Sequence, residues 1–187
     1  MATVKSHGTL NGIDTEALQK TMDEVAHDPA KGMARFQVTT SWQGGTRSRT
    51  RVERWRLGGQ DHPKNFTIDI DEPPQLLGTN SAANPQEYLL AAVNACMMAT
   101  YVGACAMQGV ELESLEIETA GELDLRGFLG IDKNVPPGYE QLSYTARMKC
   151  NGTRAQCEAV HNWVMTTSPN FWTMANPIRM NGKLEIV

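Results

Sequence analysis

Apolar residues along this chain alternate between helical and strand spacing, and one long uncharged run departs from both. Asp14 to His27, DTEALQKTMDEVAH, places Leu18, Met22 and Val25 or Ala26 at helical spacing behind Asp14 as a cap, predicting a short amphipathic helix. Asp28 to Gly32 breaks it. From Ala34 to Trp42 the pattern alternates, with Phe36, Val38 and Thr40 on one face, so a strand is expected up to the turn at Gly44-Gly45. Arg47 to Leu57 alternates again and puts Arg47, Arg49 and Arg51 on one side of a second strand. Two readings of those arginines stand: a solvated sheet edge, which base rates favour, and a site for an anion or a thiolate. Asn65 to Asp71 gives a third strand, stopped by Pro73 and Pro74, and Leu76 to Ala83 is a loop.

The long run is NPQEYLLAAVNACMMATYVGACAMQG, residues 84–109, with no formal charge between Leu89 and Met107. Asn84 caps it, Pro85 fits the first helical position, and Glu87 three residues after the cap completes a capping box; Gly109 ends it. The length suits a bilayer span, but the Ala-rich composition, Asn94, Thr100, Gly103 and the lack of Lys or Arg flanks suit a helix buried in protein. No polar face is left on it, so cover from all sides is expected, by its own sheets and those of a second chain.

After Gly109, Leu115 to Leu125 and Gln141 to Cys150 read as strands across a Gly- and Pro-rich connection. Thr153 to Thr167 reads as a helix, and Pro177 to Val187 as a closing strand, folded at Asn181-Gly182. The order is helix, then β-β-β-α-β-β-α-β, which is α+β rather than parallel α/β. Residues 1–33 are an N-terminal helical extension and 34–187 a single domain.

Composition narrows the function. A net charge of −4 argues against a nucleic-acid partner. The N-terminal sequence has no basic segment followed by an apolar core, so a cytoplasmic location is expected, with no membrane partner. Four cysteines without CxxC spacing read as free thiols. Cys157 and His161, four apart, are too few for a metal centre, and no metal or cofactor is expected. Cys96 lies mid-helix; Cys105 and Glu87, each nine residues from it, point to the opposite side, while Gln86 lies about 80° around from it. A buried free cysteine is usually a small hydrophobe, and that reading applies to Cys105 most strongly. Met97, Met98, Trp163, Phe171 and Trp172 are available to line an apolar pocket, though core packing accounts for them more simply.

The run IDEPPQLLGTN, followed by NPQEYLLAAVNACMMATYVGACAMQGVELESLEIE, resembles the OsmC/Ohr family of osmotically inducible and organic hydroperoxide resistance proteins. The resemblance covers about Phe36 to Val187. It implies antiparallel sheets wrapped around long central helices in an intertwined homodimer, with a peroxidatic cysteine in the central helix, which Cys96 matches. The implied activity is reduction of organic hydroperoxides by that thiol, in oxidative stress defence. In the best-characterised members a Glu after the Asn-Pro pair and an Arg from the early hairpin hold the thiolate. Here Gln86 takes the Glu position, Glu87 lies beside it, and Arg47 and Arg49 both suit the Arg. The family's second cysteine, in a Cys-Pro pair, is replaced by Ser168-Pro169, so the implied reductant is an external thiol. The alternative is a catalytically silent dimer that binds a small apolar ligand.

Overall fold

The structure, a computed structural model, describes residues 8–187. They form two compact units, with the division between Ala91 and Ala92 inside the long helix. The expected boundary at residues 33 and 34 falls within the first unit.

The first unit opens with a tight hairpin, β1 (Thr9–Leu10) and β2 (Ile13–Asp14). Asn11 and Gly12 both take positive φ, 52° and 78°, the backbone that a two-residue hairpin turn requires. The Asn-Gly dipeptide is the signal for it. Asp14 then caps α1 (Thr15–His27), its carboxylate accepting the Glu16 and Ala17 N–H groups.

The sheet of this unit contains β3 (Ala34–Phe36), β4 (Thr39–Trp42), β5 (Ser48–Leu57) and β6 (Gln60–Ile70). The single strand expected over Ala34–Trp42 is two. β3 ends opposite Trp55 and β4 begins opposite Arg51, because the register of β5 slips between Val52 and Arg54. Pro63 is tolerated in β6 because it pairs beside that irregularity, on an outer strand. β5 pairs with β3 and β4 on one side and β6 on the other. The arginine-rich strand is therefore an interior strand and not a sheet edge: alternation shows which face is polar, but not which backbone edges are partnered.

The loop after β6 is organised by Asp71, which is buried. Its carboxylate accepts the hydroxyls of Thr46 (2.8 Å), Thr79 (2.6 Å) and Ser81 (2.9 Å) and the N–H groups of Glu72, Thr79 and Ser81. Those bonds, the Thr79 hydroxyl first, outweigh burial and hold the carboxyl far below the usual carboxylate range. A depressed folded-state value means that the unfolded chain binds the proton first. The stabilisation is then present above the ordinary value of 3.8 and is lost as pH falls below it. In Asp71→Asn we expect a lower unfolding midpoint at pH 7 and a flatter dependence of that midpoint between about pH 2 and pH 5. Thermal unfolding by circular dichroism measures both; parallel curves for variant and wild type would contradict this account.

Helix α2 (Pro85–Gln108) spans 24 residues. Its start is a reciprocal box: the Glu87 N–H donates to Asn84 Oδ1, and the Asn84 N–H donates to the Glu87 carboxylate, both at 2.8 Å. Its end is Gly109 at φ 69°, a left-handed stop that a Cβ would disfavour. By length and composition the helix would suit a membrane span. It is instead docked along a stripe, Val93, Met97, Tyr101, Ala104 and Cys105, the i, i+4 spacing of a core-facing side. Within the chain the buried residues of α2 are that stripe and Ala106, with Leu89 among the exposed residues.

In the second unit that stripe packs with Val110, with Ile117 of β7 (Leu112–Gly121) and, across the short α3 (Leu125–Phe128) and β8 (Leu142–Cys150), with Val160 and Val164 of α4 (Arg154–Thr167). β7 and β8 form an antiparallel pair. Each fully buried side chain of this class contributes about 1.5–3 kcal/mol. Asn94, the polar residue in the uncharged run, clips helix to strand: its amide donates to the Ile117 carbonyl at 3.1 Å and accepts the Thr119 hydroxyl at 2.5 Å. A fifth helix, α5 (Pro169–Ala175), follows α4. Residues 177–187 join none of the sheets, contrary to the expected closing strand. Their alternating sequence pairs with no neighbouring ladder among the described residues, and pairing is what defines a strand.

Candidate functional site

Cys96 sits in the middle of α2, half-buried. Two donors from the junction of α4 and α5 reach its sulfur: the Ser168 hydroxyl at 3.5 Å and the Asn170 backbone N–H at 3.4 Å. The sequence builds that junction in a simple way. Pro169 has no N–H with which to continue α4, and it drives Ser168 into extended backbone, φ −72° and ψ 117°. Ser168 thus closes α4, its N–H donating to Val164, and opens α5, its carbonyl accepting from Trp172. It is fully buried. The Asn170 side chain donates to the Ala92 carbonyl at 2.8 Å, one turn before Cys96, and fixes the junction against α2.

The two donors fix the direction of the Cys96 sulfur. Cys105, in contrast, is fully buried, donates to Met148 Sδ at 3.8 Å, and has its thiol pushed up to about 11 by burial, with Cys150 and Cys157 adding to it. It packs in the core. The two cysteines of α2 are therefore chemically distinct, and the face of the helix decides which is which.

A cavity of about 340 Å³ lies between α2 and α5, and Cys96, Ser168 and Asn170 are not among its lining residues. α2 contributes Val93 and Met97, α5 contributes Phe171 and Met174, and Tyr139 and Tyr144 close it. Two of the five apolar residues singled out in the sequence, Met97 and Phe171, line it. Met98, Trp163 and Trp172 do not, and Trp163 and Trp172 are about half exposed. The fit is to a small apolar or aromatic group.

The remaining candidates lie in the first unit. Arg49 is bidentate to Asp69, directly opposite it on β6, at 2.6 and 3.1 Å. The pair is exposed and holds the Asp69 carboxyl below its usual range. Arg47 falls in the turn before β5 and donates to the Gln43 carbonyl at 3.2 Å. Gln86 is exposed on the first turn of α2, and the Glu87 carboxylate is engaged in the cap. Sequence reasoning placed Ser168 but missed Asn170, because its contribution is a backbone N–H, which no residue type announces.

Among the described residues no group of three or more His, Cys, Asp or Glu side chains could hold a metal. His161, four residues from Cys157, is engaged elsewhere: its Nδ1 meets the Tyr101 hydroxyl at 2.5 Å.

Fold and site together define an α+β protein whose central helix carries a half-buried cysteine under hydrogen-bond donors from a following helix pair. A family model described as OsmC-like protein matches residues 78–182, more than half of the chain, and the chain belongs to that family. The structure is similar to an OsmC-like protein from Mycoplasma pneumoniae, with a TM-score of 0.60 and 13% identity, covering 75% of this chain and 87% of that one. It is also similar to an OsmC-like protein of unknown function from Vibrio cholerae O1, with a TM-score of 0.56 and 15% identity, covering 75% and 94%. A third is an osmotic stress induced and detoxification response protein from Psychrobacter arcticus 273-4, with a TM-score of 0.56 and 13% identity, covering 73% and 85%. No curated protein sequence matches the chain.

Proposed function

We propose that this protein is a thiol-dependent peroxidase that reduces organic hydroperoxides through Cys96, using an external thiol as reductant in oxidative stress defence. The observation that carries the reading is the pair of donors, Ser168 Oγ and Asn170 N, converging on the Cys96 sulfur. The thiolate attacks the terminal oxygen of the peroxide, the O–O bond breaks, an alcohol leaves, and Cys96 becomes a sulfenic acid. An external thiol condenses with it, releasing water, and a second frees the sulfur by exchange. Ser168 stands where a resolving thiol would act and cannot form the disulfide, which is why the reductant is external. The family resemblance assigns positive charge to Arg47 or Arg49 and an amide to Gln86 as proposed site residues; Glu87 stays engaged in the helix cap, and a neutral Gln86 cannot take a proton. The test is mass spectrometry of the reduced protein after one equivalent of cumene hydroperoxide with a sulfenic-acid trap. The expected result is a single adduct at Cys96. An adduct spread over all four cysteines, or none, contradicts the proposal.

The active form is proposed to be a cytoplasmic homodimer. Phe36, Trp42 and Phe66 in the first unit leave large apolar side chains exposed, a surface that a second copy would cover. Light scattering on the eluted protein should return twice the 20.6 kDa chain mass. A monomer would count against it.

The cavity between α2 and α5 favours a second reading, a binding protein for small apolar ligands without turnover. Ligand binding that persists with no sulfenic acid formed would select it.

A further inference from the structure

Cys150 ends β8 and Cys157 lies in the first turns of α4, and the chain between them turns so that the two sulfurs meet at 3.4 Å. Both sides of the turn are held. Asn151 exchanges two hydrogen bonds with Glu111, its N–H donating at 3.1 Å and its Oδ1 accepting at 2.8 Å. Thr153 caps α4 through a reciprocal box with Gln156. At Gly152 a Cβ would crowd the Val110 side chain at 3.0 Å and stand 3.5 Å from the Cys150 sulfur, so the glycine keeps that space open. Cys157, unlike Cys150, lines a cavity of about 780 Å³ with Tyr101, Met148, Arg154 and His161. A reagent entering that cavity meets Cys157, whose sulfur is in contact with that of Cys150.

We propose that Cys150 and Cys157 form a second redox centre, a dithiol that closes to an intramolecular disulfide by exchange with a low-molecular-weight aliphatic disulfide. Cys157, having given its proton to solvent, attacks one sulfur of the external disulfide. That S–S bond breaks, and the first external thiolate leaves and takes up a proton. Cys150, deprotonated in turn, attacks the Cys157 sulfur of the mixed disulfide, and the second external thiol leaves. The two protein thiols are oxidised by two electrons, and one external disulfide is reduced to two thiols. The sulfurs approach by about 1.4 Å to reach a disulfide bond length. The bridge ties the first turns of α4 to the end of β8. It does not rest on the chemistry proposed for Cys96.

Incubation of the reduced protein with glutathione disulfide, acid quenching, denaturation and alkylation tests it. Alkylatable thiols should fall from four to two, with a mass loss of about 2 Da and one cross-linked peptide joining Cys150 to Cys157. Cys96→Ala should form the same cross-link at the same rate. Cys150→Ser should stop at a glutathione adduct on Cys157. A persistent adduct on Cys157 in the wild type, four thiols still free, or a cross-link through Cys96 or Cys105 overturns the proposal.

Discussion

Cys96→Ala is expected to lower the rate of organic-hydroperoxide consumption, with a thiol reductant in excess, by a factor of about 1,000 or more. Removal of a nucleophile eliminates the covalent route and leaves only whatever the reductant does by itself. The other cysteines offer no substitute in this role. Cys105 is fully buried with its thiol pushed up to about 11, and Cys150 and Cys157 contact each other rather than the Ser168 and Asn170 donors. Truncation to alanine should leave the fold intact, since Cys96 lies outside the fully buried stripe of α2. The measurement is a ferrous-oxidation assay for residual hydroperoxide, with the thermal transition of the same sample as a control. Unchanged consumption by a folded variant would remove Cys96 from the chemistry. Unchanged but slow consumption in both proteins would point instead to the apolar-ligand reading.

The sequence makes α2 legible because every determinant of it is local. Asn84, Pro85, Glu87 and Gly109 specify the two ends, and the uncharged run between them gives the burial. Asn94 looks anomalous in that run until Ile117 and Thr119 supply its partners from a strand more than twenty residues away. The interior position of β5 was hidden for a related reason: alternation in Arg47 to Leu57 describes the strand's faces, while its two edges are paired by β3, β4 and β6. α5 has only seven residues, too short for a helical period to show, so no element is read between Thr167 and Pro177 although Pro169 begins a helix. The contact of Cys150 with Cys157 was equally invisible, since seven residues across a strand-to-helix turn carry no periodicity.

The replacement Ser168→Cys should convert the product of hydroperoxide oxidation from a Cys96 sulfenic acid to an intramolecular disulfide with the introduced thiol. The Ser168 oxygen already stands 3.5 Å from the Cys96 sulfur, on a buried residue held at both N–H and carbonyl. A sulfur there need close by only about 1.5 Å to reach a disulfide bond length. The extra size of sulfur in a buried place costs about 1–3 kcal/mol, so a somewhat lower thermal midpoint in the reduced form accompanies the gain. Oxidation should then restore or exceed the wild-type midpoint, because the new bridge would close a loop of about 70 residues in the unfolded chain and stabilise by about 2–4 kcal/mol. Turnover should also change reductant: a dithiol that opens disulfides becomes effective, while the wild type works with monothiols. Peptide mapping after one equivalent of hydroperoxide reads the bridge directly. If the variant retains a Cys96 sulfenic acid with the wild-type lifetime, the junction of α4 and α5 does not hold residue 168 against the nucleophile, and the geometric basis of the proposed site fails.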